Sequence, residues 1–252
     1  MTLKRLRLKT CQLPQGEKLN LDDFKLVDFT VQIEHKTCFR VWDRAGAAAM
    51  ALEEIWGDLN IDQATPAEQT YHGKAVKITS GIRVSHITLV KSKTVDSNSI
   101  EKIQKTVDAW REIYELDVIK RLSARIKYVK YFPSIGDANL ALHNLGMVRR
   151  PESKVFDIST KSEKNSSDLN IKFEDETSFA FLKLRTETIN IESEEIPEFD
   201  IDGMKKSLHR LALDFDRGIV GEVDLKKIRA GDWIKGFLHL LRRDLPKVFS
   251  HE

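Results

Sequence analysis

Residues 27–34 read Val-Asp-Phe-Thr-Val-Gln-Ile-Glu, an octapeptide in which apolar and polar side chains alternate strictly. This period of two is typical of a β-strand that buries one face and exposes the other. Residues 39–42, Phe-Arg-Val-Trp, follow a short turn and are predicted to continue as extended chain. Upstream, leucines are interleaved with lysines and arginines at residues 3–9, which predicts an edge strand with a charged outer face. The alternative for this segment is a basic arm that contacts nucleic acid.

Helical and strand patterns then follow one another along the first half of the chain. The alanine-rich residues 44–56 predict a helix that ends at Gly57, because alanine loses little side-chain entropy in a helix. Two strand patterns separated by Ser80-Gly81 occupy residues 76–89. The capping cluster Asp96-Ser-Asn-Ser99 precedes apolar residues spaced by three and four up to Val118, the clearest amphipathic helix in the chain.

Alternation returns after this helix, and the second half of the chain is predicted to be a meander of strands followed by helices. Strand patterns lie at residues 121–132, 154–158, 169–173, 179–184 and 188–191. A short helix is predicted at residues 137–145. Met204, Leu208, Leu211 and Phe215 share one helical face, which predicts a helix over residues 200–215 with Asp200 and Asp202 at its start. A last helix or helix pair is predicted from Asp224 to Pro246.

Runs of consecutive strands favour an α+β fold with largely antiparallel sheets and packed helices. Each half of the chain has strands followed by a helix, which predicts two lobes. We place an N-terminal α+β lobe at residues 1–148 and a C-terminal α+β lobe at 149–252, with one continuous domain as the alternative.

Composition excludes several classes of protein. Lys and Arg number 41 against 39 Asp and Glu among 252 residues, so the chain is neither a polycation that coats nucleic acid nor a mainly disordered chain. A glycine-rich phosphate loop, a Gly-x-Ser-x-Gly elbow and a His-Glu-x-x-His motif are all missing from the sequence. No segment approaches the roughly 20 apolar residues that span a bilayer, so we expect a cytoplasmic protein that does not enter the membrane.

One candidate catalytic set lies in residues 216–226. An acid, a short apolar strand and then Asp-x-Lys is the order found in some metal-dependent nucleases, in which acids bind Mg²⁺ and the lysine stabilises charge at the phosphate. Asp216, Asp224 and Lys226 would take these roles. The alternative is that these residues form an ordinary solvated surface, because acid-x-Lys is frequent by chance in a highly charged chain. No metal site is predicted elsewhere, since His35 and Cys38 lack a second pair of ligands.

A candidate nucleic-acid-binding strand combines basic and aromatic residues. Positive charges that alternate with stackable rings are typical of platforms that bind single-stranded nucleic acid. The alternative is a strand with one buried aromatic row and one solvated basic row. The residues concerned are Arg121, Arg125, Lys127, Tyr128, Lys130 and Tyr131.

Three passages together resemble a known family. They are Val107–Tyr114 with Arg121–Tyr128, Phe179–Leu184, and Ser207–Phe215. Their order resembles that of a sporadically distributed, uncharacterised bacterial α+β family, although Lys127–Lys130 differs from the family's Tyr-Ile-Asn-like step. The resemblance implies an α+β fold in two halves and suits a mobile or defence-type locus. It implies no established activity and no catalytic residues.

These observations favour a non-enzymatic accessory subunit that acts through a protein partner in the cytoplasm and needs no cofactor. The alternative is a nucleic-acid-binding protein or an Mg²⁺-dependent nuclease. A small-molecule sensor with a pocket between two lobes is a third hypothesis.

Overall fold

A computed structural model of the chain describes residues 19–90, 92–146, 154–155, 158–159, 166–191 and 206–249. The predicted edge strand at residues 3–9, the acids Asp200 and Asp202 and the predicted boundary after residue 148 lie outside these ranges. No helix in the described ranges is both long enough and apolar enough to cross a membrane.

The described residues form eleven strands and five α-helices. The strands are β1 (Lys25–Glu34), β2 (Asn60–Ala64), β3 (Glu68–His72), β4 (Val76–Gly81), β5 (Val84–Val90), β6 (Val118–Phe132), β7 (Lys154–Val155), β8 (Ile158–Ser159), β9 (Asp168–Glu174), β10 (Ser178–Ile191) and β11 (Lys206–Asp224). The helices are α1 (Arg40–Asp43), α2 (Ala45–Trp56), α3 (Ser97–Tyr114), α4 (Ile135–His143) and α5 (Ala230–Phe249).

Nine of the strands form one antiparallel sheet in the order β2-β3-β4-β5-β1-β6-β11-β10-β9, and β7 pairs with β8 separately. The predicted α+β class is therefore confirmed. The prediction of two lobes is not confirmed, because β6 pairs with β1 on one side and with β11 on the other. Strands from both halves of the sequence thus share one sheet.

The described helices pack on one face of this sheet. Phe237 of α5 lies 6.0 Å from the ring of Phe29 on β1 and 5.3 Å from the ring of Phe215 on β11, and both rings flank Ile126 of β6 in the sheet register. On α3, Trp110 donates from its Nε1 to Ser80 Oγ on β4, over 3.0 Å. The opposite face of β1, β6, β11, β10 and β9 is left without a helical cover within the described chain.

The sequence predicts α3 and its start correctly. Asp96 has an extended backbone and its Oδ1 accepts a hydrogen bond of 2.7 Å from the Ser99 amide, as a helix N-cap should. Apolar residues at the predicted spacing, among them Ile103, Val107 and Trp110, are buried. Burial of this stripe, rather than helix propensity, supplies most of the stability of such a helix.

The predicted helix over residues 200–215 is wrong where the structure describes it. Residues 206–224 form β11, which lies inside the sheet between β6 and β10. Leucine and alanine favour helices weakly, but Leu211, Leu213 and Phe215 also follow a period of two. Backbone pairing on both sides of β11 outweighs that small preference.

Two smaller predictions are also wrong. Residues 40–42, expected to be extended, belong to the single helical turn α1. Pro246 was expected to close the last helix, but α5 continues to Phe249. The proline removes one amide in the last turn, and the carbonyl left without that donor belongs to the exposed Arg242, where water can replace it.

Candidate interaction surface

The uncovered side of the sheet, which we name the open face, carries mostly polar side chains. Because side chains alternate along a strand, the register assigns each residue to one face. The open-face residues used below are Asp28, Arg121, Arg125, Lys127, Tyr131, Phe179, Phe181, Lys183, Arg185, Glu187, Arg210, Asp214, Asp216 and Gly218.

Opposite charges on neighbouring strands form a row of ion pairs across the open face, here named the charge ladder. Arg125 contacts Asp214 through both Nε, at 2.7 Å from Oδ1, and Nη2. Lys127 Nζ lies 3.3 Å from Asp28 Oδ2, and Arg121 Nη2 lies 3.5 Å from Asp216 Oδ2. Each cation of the charge ladder on β6 therefore faces a carboxylate on β1 or β11.

The same pairing continues toward the sheet edge. Arg210 on β11 and Arg185 on β10 both contact Glu187, at 2.5 Å and 2.6 Å. Lys183 has a longer contact, 4.0 Å, with Asp168 of β9. Positively and negatively charged side chains therefore lie next to each other along the charge ladder and its continuation.

Asp216 is a partly buried acid of the charge ladder. Burial raises the pKa of the Asp216 carboxyl above its ordinary value, and the positive charges of Arg121 and Arg125 oppose that rise. The Arg121 Nε is buried without a hydrogen-bond partner, while its guanidinium lies 4.4 Å from the centroid of the Phe179 ring. Stacking on an aromatic ring is a favourable environment for a partly desolvated guanidinium.

Gly218 provides the space for that ring. A Cβ atom at residue 218 would lie 2.5 Å from the Phe179 ring and 2.8 Å from Ser123 Cβ. Phe179 is consequently buried although no described helix covers this side of the sheet. The adjacent Phe181 is 40% exposed and Tyr131 is 45% exposed. Large rings and arginines thus share one surface.

Two depressions adjoin the charge ladder on the open face. One has a volume of about 470 Å³ and is lined by Arg125, Phe181, Lys183 and Asp216, among others. The other has a volume of about 320 Å³ and lies between Lys127, Arg185 and Arg210. Arg125, Lys183 and Asp214 line both depressions, so the Arg125–Asp214 pair stands between them.

The predicted basic strand is divided between the two faces. Arg121, Arg125, Lys127 and Tyr131 lie on the open face, in register with β1 and β11 residues of the same face. Tyr128 packs against the hydrophobic core and burial raises the pKa of its phenol. Lys130 lies on the same side as Tyr128 and contacts Asp23 at 2.8 Å. A single face with all six residues is therefore not formed.

The predicted nuclease residues are brought together only in part. Asp224 Oδ1 accepts a hydrogen bond of 2.8 Å from the Lys226 amide, but the Lys226 ammonium contacts Asp117 at 2.7 Å. Asp216 lies eight positions before Asp224 on β11, roughly 25 Å away at the rise of a strand. Gly221, with φ of 103°, marks a bulge between them but does not reverse the strand.

Within the described ranges, no group of three or more His, Cys, Asp or Glu side chains is close enough to hold a metal ion. His35 and Cys38 point to different partners: His35 Nδ1 lies 2.8 Å from the Lys36 carbonyl, and Cys38 Sγ donates to the Tyr114 carbonyl over 3.6 Å.

Several open-face residues had not been identified as candidates from the sequence. Phe181, Lys183, Arg185 and Glu187 lie on β10, where the alternation of Lys183-Leu-Arg-Thr-Glu187 could have indicated a polar face. Asp214 falls near the end of the helix that the sequence predicts over residues 200–215, whereas the structure places it on the strand β11. Sequence position alone gives no sign that Asp214 faces Arg125.

Comparison with known proteins adds no identity to this surface. No protein-family model matches the chain, and no curated protein is significantly similar to it. The resemblance to an uncharacterised bacterial family therefore stays a prediction.

Proposed function

We propose that the protein is a cytoplasmic, non-enzymatic accessory subunit that binds a folded protein partner through the open face. The observation that carries the proposal is the charge ladder with its exposed rings, on a sheet face that the described helices leave uncovered. Arginine and aromatic side chains are the residues that contribute most to protein–protein interfaces.

A protein partner fits the charges better than a nucleic acid does. Phosphates would have to compete with Asp214, Asp216 and Asp28 for the cations of β6. A protein surface can instead present both signs in a complementary order, which gives specificity. The depressions on either side of the Arg125–Asp214 pair can each accept a side chain of such a partner.

The alternative of nucleic-acid binding or Mg²⁺-dependent cleavage is carried as the second hypothesis, because Arg121, Arg125, Lys127 and Tyr131 share one face. For this second hypothesis, phosphates of the nucleic acid have to displace the carboxylates that now contact these cations. A crosslinking experiment distinguishes a protein ligand from a nucleic-acid ligand.

A photo-crosslinking amino acid replaces Phe181 on the open face, and in a control replaces Glu112, whose side chain is 71% exposed on α3. Both proteins are expressed in the native cells and irradiated. We expect one discrete protein adduct from residue 181 that is absent from residue 112. Adducts that nuclease treatment removes, or equal adducts at both positions, would contradict the proposal.

A charge swap tests whether the charge ladder recognises the partner or only stabilises the sheet. The double variant Arg125→Asp with Asp214→Arg keeps an ion pair but reverses its direction. We expect the urea midpoint to stay close to that of the original protein while the adduct at residue 181 falls at least about tenfold. An unchanged adduct in a folded swap variant would show that the charge ladder has no recognition role.

A further inference from the structure

A cavity lies between α5 and the helix-covered side of β9, β10 and β11, and we name it the α5 cavity. Its volume is about 380 Å³, which is within the range of sites that bind small organic molecules. Ala180 and Leu182 of β10 and Phe215 of β11 form its floor, and side chains of α5 between Leu240 and Val248 form its wall. These residues of α5 span roughly 12 Å at the rise of a helix, so the α5 cavity is elongated.

The α5 cavity forms where a small residue lies between two large ones. In the sheet register Phe173 pairs with Ala180, and Ala180 pairs with Arg217, so these three residues lie in one row across β9, β10 and β11. Adjacent strands are about 4.8 Å apart, so the methyl group of Ala180 stands between two large side chains whose backbones are roughly 10 Å apart. Phe173, at the rim, is 55% exposed. The row therefore leaves an apolar depression with Arg217 on one side.

Two charged residues, Arg217 and Asp244, are among those that line the α5 cavity. Asp244 is already paired, because its carboxylate lies 2.6 Å from Arg243 Nη2 and 2.7 Å from Lys247 Nζ. Arg217 is half-buried and forms no ion pair or side-chain hydrogen bond within the part of the chain that the structure describes. One uncompensated positive charge thus lies beside an apolar cavity.

We propose that the α5 cavity binds a small carboxylic acid with an apolar tail. The tail lies between α5 and the floor residues Ala180, Leu182 and Phe215, where its burial favours binding. The carboxylate accepts hydrogen bonds from the Arg217 guanidinium, whose planar fork matches a carboxylate. A single unpaired cation suits a monoanion better than a doubly charged phosphate ester. This inference is independent of the function proposed for the open face.

The first test compares octanoate with octanol, which has the same tail without the charge. Both ligands are titrated into the isotope-labelled chain and followed by NMR. We expect octanoate to saturate one site per chain, with shifts at the amides of Ala180 and Leu245, and octanol to bind at least about tenfold more weakly. The proposal would be overturned if octanoate did not saturate, or if it shifted signals away from the α5 cavity.

The second test separates the charge from the shape of the α5 cavity. Arg217→Gln should weaken octanoate at least about tenfold and leave octanol unchanged, whereas Arg229→Gln, at an exposed arginine outside the α5 cavity, should change neither. Ala180→Leu fills the floor and should weaken both ligands. If Ala180→Leu does not fold, the Arg217→Gln comparison decides alone. Equal weakening of both ligands by Arg217→Gln, or no weakening of either, would show that Arg217 does not bind the carboxylate.

Discussion

Gln104 on α3 and Gly231 in the first turn of α5 are joined by a hydrogen bond of 2.7 Å from the Gly231 amide to Gln104 Oε1. Gln104 Nε2 also donates to Asp108, over 2.9 Å, which fixes the direction of the amide. One side chain of α3 thus satisfies an amide at the start of α5 that lacks a partner within its own helix.

Gln104→Leu should lower the free energy of unfolding by about 1–3 kcal/mol, because a buried amide loses its acceptor. Lys105→Gln, at the next residue, is the matched control: its ion pair with Glu101 is exposed and should change stability by less than about 0.5 kcal/mol. Urea unfolding measures both variants. Equal midpoints for the two would show that the amide has another acceptor.

Gly218→Ala should destabilise the protein by about 1–3 kcal/mol, because the added methyl group overlaps Phe179 and Ser123. Phe179→Leu in the same chain should recover part of that loss, and thermal unfolding of the four members of the cycle gives the coupling. Gly236→Ala, where the space is open, should instead be neutral or stabilising. Additive effects of Gly218→Ala and Phe179→Leu would argue against direct contact.

Stability should fall as the pH is lowered through the range in which histidine titrates. Burial lowers the pKa of His35 below its ordinary value of 6.5, and burial lowers the pKa of His86 as well. The unfolded chain therefore binds more protons than the folded chain just below pH 6.5, so the free energy of unfolding decreases there as the pH is lowered. Urea titrations between pH 7 and pH 5 should show this slope, and His35→Gln should flatten it. A variant as steep as the original protein would contradict the assignment to His35.

Tyr114 should tolerate the loss of its hydroxyl. The Tyr114 Oη is buried and has no hydrogen bond of good geometry; burial raises the pKa of the phenol, and the nearby Ser80 hydroxyl offsets part of that rise. Tyr114→Phe should therefore change the free energy of unfolding by less than about 1 kcal/mol, or increase it. Trp110→Phe, which loses the hydrogen bond to Ser80 as well as volume, should cost more. Calorimetry of both variants shows which of the two loses more stability.

The sequence predicts best those elements whose local pattern agrees with the final packing. Buried and less buried residues alternate along β1 as expected, and α3 begins after its predicted cap Asp96. In both elements, the apolar side chains that identify the pattern are also the ones that are buried in the core. The strand β10 was expected as two segments but runs unbroken from Ser178 to Ile191. β11 was missed because its leucines suit a helix or a strand, and only the neighbouring strands decide between the two.

The candidate surface was harder to predict than the fold. The basic residues of β6 were identified, but their neutralising acids come from β1 and β11, which lie about ninety residues away in either direction. Pairing across such distances leaves no local trace in the chain. Once the strand register is known, it places Tyr128 and Lys130 on the opposite face of β6 from Tyr131.

The central place of β6 has a consequence for synthesis on the ribosome. β6 ends at Phe132, yet its neighbour β11 starts only at Lys206, so the nascent chain exposes one long unpaired edge until that later strand emerges. At roughly 5–20 residues per second, this interval lasts several seconds or longer. The growing polypeptide is thus most vulnerable to aggregation in that window, when a chaperone would protect it best.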